Sequence, residues 1–455
     1  MTMTSRPPIE TERTDAKEEP AKSTPDLTVF ETLESEVRGY IRGWPTVFER
    51  SQGARMWDET GREFIDFFAG AGSLNYGHNH PELKQELIDY LASDGVVHAL
   101  DMGTTAKRRF LQRFDEIVLK PRGLDYKIQF PGPTGTNAVE AALKLARKVT
   151  ERQLVIGFTN AFHGMTLGSL AVTGNDMKRS GAGVPLSYGV SMPYDDFIED
   201  GDAVEYLRSY LSGGGSGMDA PAAIIVETVQ GEGGMHTASV EFLRGLRELA
   251  DEFECLLIVD DIQMGCGRTG PFFSFEHAGV TPDIVTLSKS ISGYGLPMAL
   301  TLFRRELDLW GPGEHNGTFR GHTPAFVTAT AALERFWTND DLQREVEHKA
   351  SIMEQALRGT AARYLEACGS WRGRGMAQGL HLEEEGLASE VARESFQRGL
   401  LVETSGYDDS VVKLLPPLTI EEAELKRGLE IIDESLGAAL AKRGAGQNGN
   451  TGKGA

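Results

Sequence analysis

The pattern that most constrains this chain is a series of short runs that are apolar throughout, separated by stretches with helical periodicity. The runs are IQF near 128, LVIGF from 154, AAIIVE from 222, LLIVDD from 256 and DIVTLS from 283, with helical patterns over 137–149 and 240–253. A strand without polar alternation has both faces covered, and helices that return the chain to the same sheet edge supply that cover. The expectation is a doubly wound α/β domain with a mostly parallel sheet. GGGSG at 213–217 reads as a surface loop between a helix and a strand, and no repeat of fixed period is visible.

The flanking text differs. After 338 the sequence is helical and charged, then passes through RGRGMAQGLHLEEEG and VVKLLPPLT to a last helix starting near 421, as a small α+β domain would. Residues 46–67 alternate around DETG like a hairpin and can complete that small domain from the N-terminal side. The first residues mix Pro, Thr, Glu and Lys, and the last are rich in Gly and Asn, compositions that bury too little to order themselves. The expected organisation is therefore a disordered tail over 1–27, small domain over 28–79, large domain over 80–338, small domain again over 339–441, and a disordered tail over 442–455.

Charge and cysteine usage narrow the function. With 67 acidic against 46 basic residues the net charge is −21, a field that repels phosphate backbones and anionic lipid, so nucleic acid is not the expected partner. Three cysteines at irregular spacing frame neither a disulfide scaffold nor a zinc site. With no apolar signal-peptide core at the start, a cytoplasmic location is expected. The longest apolar runs are strand-length, short of the roughly 20 residues a bilayer span needs, so no membrane association is expected.

Four features carry chemistry. In FPGPTGTNAVEAALKLARK, Gly132, Gly135, Thr134 and Thr136 open an amphipathic helix whose free N–H groups suit a phosphate, although Thr136 could equally be an ordinary N-cap. LLIVDDIQMGCGRTG ends a strand on two carboxylates, which puts Asp260 or Asp261 at the sheet edge where α/β ligands bind. Its Gly265, Gly267 and Gly270 match a dinucleotide fingerprint, but no helix follows, which argues against nicotinamide. Lys289 follows an apolar strand between Ser288 and Ser290, a desolvated amine able to form a Schiff base, whereas most lysines after strands are solvated. HNH at 78–80 reads as a helix-entry loop before Pro81 rather than a metal pair. Together with FHG at 162–164, whose ring could stack on a heterocycle, these are the parts of a pyridoxal 5′-phosphate site.

The set Gly135-Thr136, FHG, VETVQGEGG, VDDIQMGCGRTG, SKSISGYGLP and GTFRGHTPA resembles the class III aminotransferases of the fold type I pyridoxal-phosphate enzymes, over about 40–435. The resemblance implies Lys289 as Schiff-base lysine and proton-transfer base, Asp260 on the pyridine nitrogen and Gln263 on the ring oxygen. It further implies Phe162, with His163 beside it, against the ring, Gly135 and Thr136 on the phosphate, and Thr318 reaching the phosphate of a neighbouring subunit. A homodimer or higher homo-oligomer with shared sites is thereby expected.

Further stretches, among them ESEVRGYIRGWPTVFE, HALDMGTTAKRRFL, FHGMTLGSLAVTGN and VVKLLPPLT, resemble the branch that makes L-2,4-diaminobutyrate and 2-oxoglutarate from L-aspartate 4-semialdehyde and L-glutamate, at the entry to ectoine synthesis and osmoprotection. Trp44, Glu232 and Lys413 are the substrate-side residues this likeness implies. The sequence departs from ornithine- and 4-aminobutyrate-type enzymes in two places: Met165 stands where they carry an arginine, and Lys413 where they carry their switch arginine. Lysine lacks the bidentate fork, so carboxylate recognition is rebuilt here. In both glutamate and diaminobutyrate two carbons separate the reacting carbon from the distal carboxylate, so one distal subsite can serve both. Only glutamate carries a second carboxylate at the reacting carbon, which calls for a movable cation, with Glu232 as its resting partner. Ornithine, lysine or 4-aminobutyrate transfer, a siderophore-pathway diaminobutyrate enzyme, an aminomutase and a silent pyridoxal-binding regulator are the alternative readings.

Overall fold

The computed structural model describes residues 24–450. Its centre is a seven-stranded sheet of β1 (Tyr126–Gln129), β2 (Val155–Phe158), β3 (Gly189–Met192), β4 (Ala223–Val226), β5 (Leu256–Asp260), β6 (Ile284–Leu287) and β7 (Leu300–Arg304), in the order β1-β7-β6-β5-β4-β2-β3. All neighbours pair in parallel except β7, which runs antiparallel to β6 and β1. Along β4 and β5 alternate residues enter opposite cores: Ile224, Val226, Leu257 and Val259 face one cluster, Ala223, Ile225, Leu256 and Ile258 the other. Two covered faces explain why these strands read as continuous apolar text. On one face lies helix α1 (Gly135–Thr150), contributing Val139, Ala142, Leu143 and Ala146. On the other lies Val240–Glu252, contributing Phe242, Leu246 and Leu249.

Two strands escape the sequence pattern. β3 is a partly exposed edge, GVSM, and β7 follows β6 through a loop with no crossover helix. Helix α1 begins with Thr134, not Thr136, at its N-cap, and Asn137 Oδ1 accepts from the Thr134 N–H at 3.2 Å.

The second body draws on both ends of the chain. Strands Phe48–Gln52, Arg55–Asp58 and Glu63–Asp66 form a meander whose last strand pairs in parallel with Leu400–Leu401. A four-stranded sheet of Cys368–Arg374, Ala377–Leu382, Val411–Leu414 and Glu403–Ser405 lies against helix Asp341–Arg363. The proposed boundaries at 79/80 and 338/339 fall just before helix Pro81–Ala92 and between helices Thr323–Phe336 and Asp341–Arg363. Arg268, buried within the GCGRTG turn, joins the two bodies: it donates to Met376 O at 3.1 Å, Pro416 O at 2.5 Å and Asn75 Oδ1 at 2.6 Å.

Of the two expected tails, it is the C-terminal one that differs where it is described. Residues 24–27 lead into helix Thr28–Leu33, and the last helix runs Glu422–Asn450, past the boundary set at Lys442. Gly- and Asn-rich composition is overridden there by ion pairs on its preceding turn: Arg443 reaches Glu384 at 2.7 Å and Glu390 at 3.0 Å, and Lys442 pairs with Glu394. Residues 1–23 and 451–455 of the expected tails lie outside the described residues. No helix among the described residues is long and apolar enough to cross a membrane.

Candidate active site

The carboxyl ends of β2, β4, β5 and β6 and the start of α1 meet around a cavity of about 260 Å³. This is where an open α/β sheet presents its loops. Gly135, Thr136, Phe162, His163, Glu232, Asp260, Gln263 and Lys289 all line it, so most of the residues expected from the sequence converge. Thr318, Trp44 and Lys413 do not.

Asp260 ends β5 pointing into the cavity. His163 Nδ1 donates to its Oδ2 at 2.7 Å, and the Thr286 hydroxyl and Ile262 N–H donate to Oδ1 at 3.0 and 3.2 Å. Burial alone would lower the His163 pKa, but the hydrogen bond and charge of Asp260 raise it, and so stabilise the charged imidazole. Asp261, the other carboxylate the strand end offered, turns away to accept from Ser274 N–H at 3.0 Å, and burial lifts its pKa to about 7. The structure thereby chooses between two acids that the strand pattern left equal.

Lys289 opens the turn after β6 with φ +51°. Its Nζ donates to Ala71 O at 2.9 Å, and burial holds its pKa below the ordinary lysine value although Glu232 pulls upward. Ser288 and Ser290 fix that turn by donating to Met298 O at 2.9 Å and Gly72 O at 2.8 Å. Gln263 donates to the same Ala71 O at 3.0 Å and to Glu232 Oε1 at 3.2 Å.

Behind Glu232 sits Lys413, fully buried, with Nζ 2.8 Å from Glu232 Oε1 and 2.9 Å from Glu403 Oε1. Glu403 is a residue sequence reasoning missed. It stands directly opposite Lys413 in antiparallel register, which puts both side chains on one face. Burial opposes ionisation of Glu232, but Lys413 and Lys289 outweigh it and hold the carboxyl near 2. For Glu403 burial wins and its pKa is raised, and for Lys413 the two acids overcome burial and raise it.

Glu227, also missed, accepts from the Phe162 N–H at 2.9 Å, and burial lifts its pKa to about 8. Trp44 belongs to a neighbouring aromatic group, its ring centroid 5.6 Å from Tyr40 and 4.9 Å from Phe68. It is not among the residues that line the cavity, and Tyr40 and Phe68 offer it an apolar bed. Thr318 lies exposed on a separate turn, its carbonyl accepting from His98 Nε2 at 2.7 Å. His78 is occupied by Asp66 at 2.7 Å, and no cluster of metal ligands occurs among the described residues.

This lining fits pyridoxal phosphate on structural grounds. The buried His163 Nε2 has no hydrogen-bond partner among the described residues, while its other nitrogen is fixed on the acid that a pyridinium would need. At the phosphate end, Gly164 has φ +127°, and a Cβ there would lie 2.6 Å from Thr136 Oγ1, so only glycine leaves the helix start open.

Residues 41–436 match the family model for class-III aminotransferases. The chain belongs to this family. It is 54% identical over 421 residues to the diaminobutyrate–2-oxoglutarate transaminase of Oceanobacillus iheyensis, covering 92% of this chain and 99% of that one. It is 60% identical over 415 residues to the enzyme of the same name from Streptomyces avermitilis, covering 90% and 98%. Among solved structures it is similar to the ornithine aminotransferase of Toxoplasma gondii, with TM-score 0.79 and 26% identity over 92% of this chain and 94% of that one. The fold type I architecture and the pyridoxal-phosphate dependence expected from the sequence follow from this membership.

Proposed function

We propose that this aminotransferase makes L-2,4-diaminobutyrate and 2-oxoglutarate from L-aspartate 4-semialdehyde and L-glutamate, in two alternating half-reactions. The observation that carries the reading is the Glu232–Lys413–Glu403 group behind the cavity wall. An enzyme that accepts glutamate must meet a carboxylate at the reacting carbon, and one that accepts the 4-amino end of diaminobutyrate must meet a hydrogen there. A lysine shared between two acids can serve the first and return for the second. Relatives named for this reaction, at 54% and 60% identity, support it.

Bound pyridoxal phosphate would supply the electron sink for a carbanion formed at the substrate's reacting carbon. Gly135 and Thr136 would hold its phosphate, Phe162 its face, Asp260 its ring nitrogen and Gln263 its ring oxygen. Asp260, itself oriented by His163 and Thr286, keeps a proton at that nitrogen. Lys289, depressed by burial, offers a neutral Nζ at neutral pH more readily than a solvated lysine and would take the proton from the substrate's reacting carbon. Glu232 stays ionised and ready to take back Lys413.

The same reading includes a homodimer in which Thr318 completes the partner's site. What supports it is that Thr318 is exposed, is not among the residues lining its own cavity, and precedes the exposed Phe319 in the chain. It also places the reaction in the cytoplasm, at the first nitrogen-introducing step toward ectoine. A half-reaction screen with glutamate, diaminobutyrate, ornithine, lysine and 4-aminobutyrate tests the core. Cofactor absorbance should respond fastest to glutamate and diaminobutyrate, and a preference for ornithine or 4-aminobutyrate would overturn the substrate assignment.

A further inference from the structure

The carboxylate that both proposed substrates carry away from the reacting carbon needs a cation, and Met165 at the cavity lip, 55% exposed, cannot supply one. Lys289, Lys413, Arg179 and Lys178 are the candidate cations. Lys289 is committed to chemistry, and Lys413 is assigned above to the carboxylate at the reacting carbon, shared with Glu232 and Glu403. Arg179 spends one guanidinium nitrogen on Leu170 O, Ala171 O and Thr173 O, at 3.0, 3.2 and 2.8 Å. Lys178 remains. Its Nζ rests 4.2 Å from the centroid of the Phe162 ring, and Phe162 lines the cavity. It has no ion pair among the described residues, it is half-buried, and its charge is among those that favour the ionised form of Glu232.

Resting on the substrate reading above, we propose that Lys178 is the specificity residue that binds the distal carboxylate of glutamate and diaminobutyrate. A π face holds an ammonium loosely, by about 0.5–2 kcal/mol, so a carboxylate entering beside it offers a stronger partner and draws the flexible stem across. The helix Asp176–Ser180 fixes the stem's origin, since Asn175 Oδ1 accepts from the Lys178 N–H at 3.0 Å. The arrangement replaces a bidentate anchor with a movable point charge. Such a charge tolerates both an α-amino acid end and a plain γ-carboxylate, whose neighbouring carbons differ.

Paired substrates that differ only in this carboxylate test the assignment in the holoenzyme. Diaminobutyrate is compared with 1,3-diaminopropane, and glutamate with 2-aminobutyrate, in single-turnover half-reactions of wild type, Lys178→Ala and Lys178→Arg. Lys178→Ala should lose about 10- to 100-fold on diaminobutyrate and glutamate, largely in apparent affinity, and leave 1,3-diaminopropane and 2-aminobutyrate within about twofold. Lys178→Arg should recover most of the loss. Equal losses on all four amines, or release of cofactor seen by absorbance, would mean that Lys178 only supports Phe162 and would overturn the proposal. No change on either carboxylate substrate would also overturn it. Failure of the diaminobutyrate reading is separable: wild type would then not respond to diaminobutyrate, while the glutamate pair would still report on Lys178.

Discussion

Glu403 Oε1 lies 2.9 Å from the Lys413 ammonium across a directly paired strand register, so the buried cation is shared by two acids rather than held by Glu232 alone. This changes what removal of the lysine does. Lys413→Ala leaves two buried carboxylates without their partner and should cost about 3–5 kcal/mol in denaturant unfolding. If the fold survives, the glutamate half-reaction should fall about 10- to 100-fold and diaminobutyrate less. Equal losses would show that the lysine is structural.

Glu403→Gln separates the two acids. Lys413 keeps Glu232 at 2.8 Å but loses its second charge. The cation should then be freer to meet a substrate carboxylate, and the glutamate half-reaction should hold or quicken. A loss as large as that of Lys413→Ala would place Glu403 in direct contact with substrate instead.

Lys289→Ala should abolish turnover while leaving thermal stability equal or higher. The variant gives up one hydrogen bond to Ala71 O but no longer buries an amine. Turnover assays and thermal midpoints check the two halves. Activity near wild type would remove Lys289 from the chemistry.

Asp260→Asn should lower the rate by at least about tenfold, since an uncharged partner no longer keeps the ring nitrogen protonated. It should also reverse a pH dependence. In the wild type the His163 pKa is raised above 6.5, so its contribution to stability is complete below 6.5 and is lost as pH rises through the folded value. Without Asp260, burial lowers that pKa, and stability is lost as pH falls below 6.5. Thermal midpoints of the apoproteins at about pH 5.5 and about pH 8 should therefore move in opposite senses.

Glu227→Gln keeps an acceptor for the Phe162 N–H and removes a titration. The wild-type carboxyl is raised from 4.5 to about 8, so its stabilising protonated form is lost as pH climbs through that window. The slope is at most about 1.4 kcal/mol per pH unit. The variant should show a flatter stability profile between these values and should be the more stable protein above about 8. Parallel profiles would assign the alkaline loss to another group.

The sequence by itself determined the parallel sheet, because residues such as Ile224 and Ile225 must both be buried wherever two faces are covered. It also determined that Lys289, Asp260 and the Gly135–Thr136 helix start lie at one sheet edge, since each follows or precedes a strand that the apolar pattern marks. β3 and β7 stayed hidden because one is an exposed edge and the other lacks the crossover helix that spaces its neighbours. Composition misjudged the last turns of the final helix, where pairs to Glu384 and Glu390 outweigh intrinsic propensity. Only the tertiary structure turned Asp261 onto Ser274, added Glu403 to Lys413, brought Glu227 to the Phe162 N–H and packed Trp44 against Tyr40 and Phe68. These contacts are fixed by strand register, turn geometry and burial, none of which local sequence periodicity contains.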